Sequence, residues 1–529
     1  MRHTFTRREK IWFYGFLSLL LPAALLTDLG LMTFIDDESI RALVALEMDI
    51  SGNYIVPTLH GEPYYNKPPL YNWFLLLWFR LFGGYTEWAS RSATVFCLIG
   101  YATTVFYFTR RYFNDKIAVL NALFLLTCGR ILIYDSMLGL IDPAYSWLTF
   151  TGFMLLFTQY EKRNFYALFL LTYLITAAGF MMKGLPSLVF QAGSLVAFFI
   201  WKKDFKKLFT PAHFAGIALF ILLTGAYYFA YARYHSLTTV FTTLIFESSR
   251  RTAAEHGFGE TLLHLFTFPF EFIYHFLPWT FLVLLFWQKN IVKILRARPF
   301  LIFCLLMFFV NILVYWWSVQ VYPRYLFMLL PLIFTPLLYL YFAEKEESFK
   351  LKTIHFFLGI ICAAVALLLF LPLFLERTAG VPFLYPKSIG AGIVALFLCR
   401  LFIKFKKERL LLTVAVLLVG RLGFDWFVLP DRHAEDWGTR VRTESATFGE
   451  HYQDRPLYIL SEAPVQVTNS FYISRAAGKP VRYLDRAYDR SGVYLAHKKR
   501  KYLPPFTLRG TVAVRSRVPG REVNVLAAE

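Results

Sequence analysis

The residues best suited to chemistry follow the first apolar run: Asp36-Asp37-Glu38, then, about thirty residues on, Asn66-Lys67-Pro68-Pro69-Leu70. A carboxylate can take a proton from an attacking hydroxyl, and an ammonium can hold a developing anion. Acidic groups at a membrane exit are costly unless they are used or hydrated. The plain alternative is a solvated loop that stops the first helix, with Lys67-Pro68-Pro69 as an interfacial anchor before a proline turn. Asp142, ahead of Pro143 at the outer end of an apolar run, fits an N-cap and a site residue equally well. Lys183 reads as an interface anchor. Glu247 and His256 offer a metal pair on paper, yet two such residues nine apart in a loop are ordinarily just polar loop residues. No cofactor is required by the sequence, and a divalent metal has no better support than that pair.

The elements that must position these groups are set by composition. The chain has 529 residues, is 57% hydrophobic and 19% aromatic, and carries only 17% charged residues, with a mean hydropathy of +0.48. Stretches of about 20 residues almost free of charge require lipid as the solvent. The net charge of +20 gathers in short clusters between apolar runs, a topological pattern rather than a nucleic-acid footprint. These clusters are Arg7, Arg8 and Lys10; Arg110 and Arg111; Lys162 and Arg163; Lys202 to Lys207; Lys289 to Arg298; Lys345 to Lys352; and Lys404 to Arg409. Each marks a cytoplasmic turn. About thirteen transmembrane helices follow, near 11–31, 86–108, 117–134, 143–159, 165–182, 185–201, 212–231, 276–288, 299–317, 325–342, 353–375, 388–403 and 410–429, with the N-terminus inside and the C-terminus outside. The first run reads as an uncleaved helix rather than a signal peptide. All five cysteines fall inside apolar runs, as small core residues would.

The fold class is therefore an α-helical polytopic membrane protein, with residues 1–429 as its transmembrane part. Three outer segments exceed simple turns: 32–85, 232–275 and the tail 430–529. Within the first, Glu38 to Ile50 and Leu70 to Phe82 read as helices lying in the membrane interface. In the tail, Leu457 to Leu460 and Val481 to Leu484 read as strands around a helix over Val465 to Ala477, a small α/β domain. Its basic surface suits either anionic head groups or plain solvent. No internal repeat, glycine-rich phosphate loop or Walker motif is present.

An ordered set of short motifs resembles the bacterial GT-C glycosyltransferases, in particular the 4-amino-4-deoxy-L-arabinose transferases of lipid A and the wider protein O-mannosyltransferase-like group. The set comprises Asp37-Glu38, an acidic helix ending Glu47-Met48, Gly52 to Pro57, Lys67-Pro68-Pro69, Ile141-Asp142-Pro143, Met182-Lys183-Gly184, Phe246-Glu247 to Arg251, and Tyr322-Pro323-Arg324-Tyr325. The resemblance implies an inner-membrane enzyme with a periplasmic C-terminal domain. It would transfer a sugar, with inversion, from a polyprenyl-phosphate carrier to a lipid A, glycolipid, glycan or protein acceptor. Asp37 and Asp142 are then the catalytic candidates. Lys67, Arg250, Arg251 and Arg324 would hold the donor phosphate, with Asp36, Glu38, Glu247, Tyr322 and Tyr325 in support. If the acceptor is a hydroxyl, Asp37 is its base; if it is a phosphate, Asp37 orients the sugar or steadies an oxocarbenium-like centre. Membrane lipids are expected partners and nucleic acid is not.

Two departures from the family pattern stand out. Asn66 replaces an acidic residue before Lys-Pro. Arg41 lies one residue later than the family's arginine, a rotation of about 100° on a helix that removes the expectation of a phosphate role. A secondary transporter is the rival class, but transporters tend to show related halves, and the ionisable residues here gather at one face. A non-catalytic scaffold that docks a partner through the basic tail is the third reading.

Overall fold

The computed structural model describes residues 6–35, 37–249, 253–485, 489–498, 506–515 and 521–528. Among them, nine helices are long and apolar enough to cross a membrane. The number becomes ten if Asp115–Thr127 and Gly129–Met137, bent by 52° at their break, form one span. Three of the thirteen predicted spans fall on other elements. Residues 143–159 lie in Asp142–Glu161, a 20-residue helix whose Ser, Thr and Tyr side chains are accommodated because it is packed between other helices. Residues 185–201 form the 16-residue helix Pro186–Trp201, and 276–288 hold only the 3₁₀ segment Trp279–Phe286. An apolar run does not distinguish a helix that crosses lipid from one that fills the space between crossing helices.

The basic turns meet on one face. Lys116 pairs with Glu408 at 2.9 Å, Tyr160 donates to Asp204 at 3.0 Å, and Tyr112 stacks on Phe300 at 4.0 Å. The helix Arg7–Leu26 starts there and is long enough to cross, about 30 Å at 1.5 Å per residue. The first large outer segment lies on the opposite face.

That segment is pinned by a buried ion pair. Glu38, at the start of the helix Glu38–Ser51, is fully buried against Arg91 of the helix Glu87–Tyr112, with a 2.8 Å contact. The same carboxylate accepts from the Ile35 and Gly139 amides, while the guanidinium donates to the Leu29, Met32 and Thr33 carbonyls. Every strong donor and acceptor is thereby satisfied, which a buried pair requires. Replacing Arg91 by Ala strands the Glu38 charge, and the expected loss is about 3–5 kcal/mol of stability, read as a lowered unfolding midpoint in detergent.

Of the two predicted interfacial helices, Leu70–Leu81 is amphipathic: Tyr71, Leu75 and Phe79 are buried while Leu77 and Leu81 are exposed. Glu38–Ser51 is instead mostly buried, because the C-terminal unit covers it. That unit is a five-stranded sheet in the order Arg482–Leu484, Leu457–Leu460, Val493–Ala496, Glu522–Ala528, Phe506–Ala513. The first three strands run parallel, and the helix Val467–Ala477 makes the crossover between Leu457–Leu460 and Arg482–Leu484. A second helix, Trp437–His451, packs on that crossover so closely that a Cβ at Gly449 would lie 2.6 Å from the Ile473 carbonyl oxygen.

The unit is joined to the outer segment by buried contacts. Phe34 meets Phe471 edge-on at 4.9 Å, and the Tyr472 hydroxyl donates to Glu87 at 2.6 Å. Arg442 pairs with the same Glu87 carboxylate, and Arg475 donates to the Tyr85 carbonyl. The sheet and the first outer segment therefore share a face, opposite the basic turns.

Candidate active site

Four chain segments converge where the helices end on that face. Asp37 is the residue before the helix Glu38–Ser51, held in place by the buried Glu38 beside it. Asp142 is the first residue of Asp142–Glu161 and makes no side-chain cap, so its carboxylate is available for other partners. Lys183 is the last residue of Phe165–Lys183. Gly184, at φ +75°, lets the chain turn there without a Cβ penalty and enter the next helix at Pro186. Arg324 follows Tyr322-Pro323 in a 3₁₀ turn and is 2% exposed.

These side chains form one chain of charges. Arg324 bonds Asp37 at 2.8 Å and lies 3.5 Å from Asp142, whose carboxylate also accepts from Lys183. The Lys183 ammonium sits over the rings of Tyr145, at 4.8 Å, and Tyr325, at 4.5 Å; Arg324 lies over Tyr322 at 4.5 Å. Asp142 is thus an ion-pair centre rather than a helix cap. Lys183 is not an interface anchor: it faces inward, with a side chain 11% exposed.

Lys67 is positioned separately. Glu47, fully buried, accepts the His60 and Gly61 amides at 2.8 and 3.0 Å and so fixes the tight hairpin between Thr58–Leu59 and Glu62–Pro63. Pro68 and Pro69, both buried, then lead into Leu70–Leu81, leaving little backbone freedom at Lys67. Among the described residues, Lys67 makes no hydrogen bond or ion pair. Burial pushes its ammonium down to about 7; the Arg41 and Lys183 charges push the same way, and Asp142 and Asp37 oppose them. An amine crowded by cations at the wall of a cavity is a site that an anion would stabilise.

Arg41 belongs here despite its offset in the sequence. Because Asp37 is the residue that begins the helix, Arg41 lies one turn on and on the same side. It is buried, lies over the Tyr64 ring at 5.2 Å, and donates to the Tyr64 hydroxyl three residues before Lys67. The spacing of four from Asp37 was the available signal.

Lys67 and Lys183 line a cavity of about 300 Å³. Its polar wall also carries Asn66, Glu247 and Gln320, while Val189, Phe190 and Val314 make the rest apolar. A head group with negative charge and a hydrocarbon tail matches both halves. Tyr325 also lines this cavity, and Tyr322 stands behind it against Arg324. Glu38 contributes through position alone, buried away from the cavity. Asp36, Arg250 and Arg251 lie outside the described residues, as does the side chain of His256. Among the described residues, no group of three or more His, Cys, Asp or Glu is arranged to hold a metal.

Arg324→Lys retains a charge but loses the fork that reaches both carboxylates. Turnover is expected to fall about tenfold, one lost charge-assisted hydrogen bond, with little change in unfolding midpoint.

The site and fold together define a class. Residues 66–228 match the dolichyl-phosphate-mannose-protein mannosyltransferase family. The GT-C resemblance read from the motifs is borne out. Among curated relatives, the undecaprenyl phosphate-α-4-amino-4-deoxy-L-arabinose arabinosyl transferase of Shewanella sediminis is 31% identical over 191 residues, 34% of this chain and 33% of that protein. The enzyme of the same name from Erwinia tasmaniensis is 29% identical over 35% and 34% of the two chains. The chain thus matches about a third of the length of these relatives. In three dimensions the likeness extends over nearly the whole molecule. ArnT from Cupriavidus metallidurans bound to undecaprenyl phosphate superposes with a TM-score of 0.69 over 97% of this chain and 98% of that one, at 16% identity. The apo form of ArnT gives 0.63 over 90% and 86%, at 17% identity. The protein has the ArnT fold and is a multi-pass membrane protein.

Proposed function

We propose that this chain is an inner-membrane glycosyltransferase that moves a sugar from a polyprenyl-phosphate carrier to a lipid, glycan or protein acceptor on the periplasmic face. One observation carries the reading: Lys67, which has no ion partner among the described residues, stands at the polar wall of a largely apolar cavity, beside a fixed network of two carboxylates and two further cations. The likeness to arabinosyl transferases that use an undecaprenyl phosphate donor supports the same chemistry.

In this mechanism the carrier phosphate binds at Lys67, with its prenyl chain along Val189, Phe190 and Val314. As the glycosidic bond breaks, charge builds on the phosphate, and Lys67 answers it with a full ammonium. Lys183 is held by Asp142 and the two tyrosine faces, so it adds positive potential without leaving its place. Asp37, fixed by Arg324, faces the sugar. It takes the proton of a hydroxyl acceptor or, for a phosphate acceptor, steadies the oxocarbenium-like centre. Inversion follows from attack opposite the departing phosphate. The basic turns support an N-terminus in the cytoplasm and a C-terminal unit in the periplasm.

Transport would require polar groups along a path through the membrane, whereas the network of Asp37, Asp142, Lys183 and Arg324 sits at helix ends on one face. The test is reconstitution with undecaprenyl-phosphate sugars, following release of undecaprenyl phosphate by mass spectrometry. Acceptor-dependent release is the expected result. No release with any undecaprenyl-phosphate hexose or pentose, from protein that still unfolds cooperatively, overturns the reading.

A further inference from the structure

We propose that the C-terminal unit takes part in the reaction by clamping the hairpin that precedes Lys67, and that His60 is the positioning residue through which it does so. The inference rests on the transferase reading and adds what keeps the donor-binding cation in place.

Three consecutive residues at the outer edge of the C-terminal sheet, Val481, Arg482 and Tyr483, meet the hairpin tip. The His60 ring donates to the Val481 carbonyl and meets the Tyr483 ring edge-on, with 4.4 Å between centroids. The Arg482 side chain lies across Gly61, where a Cβ would fall 3.1 Å from its Nε, and its charge favours the ionised form of Glu47. His60 and Gly61 form the turn at φ +59° and +74°, a pair of left-handed positions that favours Asn-Gly or Gly-Gly. The backbone therefore gives no reason for a histidine there. The reason lies in its ring, which is buried and whose hydrogen bond and aromatic contact both go to the C-terminal unit.

The hairpin passes that hold on to Lys67. Thr58 pairs with Pro63 and Leu59 with Glu62, the Tyr64 amide donates to the Pro57 carbonyl at 2.8 Å, and the Tyr64 hydroxyl accepts from Arg41. Lys67 comes three residues later and is followed at once by the buried Pro68 and Pro69. The chain is thus fixed on both sides of it, by the clamp before and by two proline rings after. Loosening the tip has a definite sign: Lys67 can back away from the cavity wall, its burial is relieved, and its ammonium climbs from about 7 toward the ordinary lysine value. The charges that face it are Arg41, Lys183, Asp142 and Asp37, with Glu247 on the cavity wall, and none of them is carried by the hairpin. Burial holds the His60 ring down to about 4, between Glu47, Arg482 and Tyr483, so it stays neutral while Lys67 titrates.

His60→Gly removes the ring alone, because glycine takes φ +59° without strain, and Tyr483→Ala removes the contact from the other side. Two quantities are read on the full chain in phosphatidylethanolamine vesicles. One is the alkaline limb of kcat/KM for an undecaprenyl-phosphate sugar; the other is labelling of Lys67 by acetic anhydride against pH, followed by mass spectrometry. In the wild type both are expected to have their midpoint at about 7. Each variant should raise both midpoints by about one unit or more. At pH 6, where Lys67 is charged in every variant, His60→Gly should lower kcat/KM about tenfold, as a displaced binding group does. The double variant should do no more than His60→Gly alone, since both substitutions break one contact. An unmoved Lys67 midpoint in both variants overturns the proposal, with or without a fall in turnover, and so does additivity in the double variant. Labelling needs no turnover. A wild type that turns over no donor, but whose Lys67 midpoint still rises in both variants, would overturn the transferase reading and leave the clamp standing.

Discussion

Lys67→Ala is expected to lower kcat/KM for the lipid-phosphate donor by roughly 10²–10³, the scale of removing one donor aimed at a developing anion. The effect is large because the other cations of the site, among the described residues, are already paired. Lys183 is tied to Asp142, Arg324 to two carboxylates, and Arg41 to Tyr64. The pH dependence gives a sharper check. With its ammonium pushed down to about 7, Lys67 in the free enzyme loses its proton as pH rises through 7. Each further unit then removes about nine-tenths of the remaining charged form. The donor's kcat/KM should therefore fall with a slope of −1 above neutral pH. In the complex the anionic phosphate favours the charged amine, so kcat should hold to a higher pH before it falls. Lys67→Arg cannot deprotonate in this range, so it should lose the alkaline limb while retaining part of the activity. An unchanged alkaline limb in Lys67→Arg would assign the titration to another group. Activity near wild type in Lys67→Ala would remove it from the site.

Much of this architecture was legible in the chain because lipid imposes a simple code. Apolar runs and basic clusters recovered most of the spans, and Leu457 to Leu460, Val481 to Leu484 and the helix between them marked the α/β unit. The strands Val493–Ala496, Phe506–Ala513 and Glu522–Ala528 were not foreseen, although the first and last are nearly all buried. They lie among basic residues, so composition there resembles a loop. Pairings were less accessible still. Glu38 and Arg91 are 53 positions apart, and Arg324 reaches Asp37 across 287. Nothing local in the sequence indicates that Glu38 is structural and its neighbour Asp37 half exposed. Lys183 is illegible for the same reason: a lysine ending an apolar helix resembles a snorkelling anchor until Asp142 is placed beside it. Arg41, offset by one residue from the family spacing, lies one helical turn from Asp37 and on the same side of the helix, where it is held by Tyr64.

Asp37→Asn carries the second large prediction, a fall in kcat of roughly 10²–10⁴ with donor KM nearly unchanged, the range for loss of a positioned general base. Asparagine preserves size and still accepts a hydrogen bond from Arg324, so Asp142 keeps its place and the fold does not move. What it cannot do is take a proton or present a negative charge to an electron-poor sugar carbon. The two roles left open for Asp37 separate by acceptor. If it is a base, a hydroxyl acceptor of lower pKa, such as a trifluoroethyl analogue, should restore turnover in Asp37→Asn by at least tenfold, since such a hydroxyl gives up its proton without help. If it steadies positive charge, that substitution restores nothing, and the loss should persist with a phosphate acceptor that has no proton to give. Equal turnover of wild type and Asp37→Asn on every acceptor would leave Arg324 without a catalytic partner. Its buried guanidinium would then serve only to hold Asp142 and Lys183 at the wall of the donor cavity.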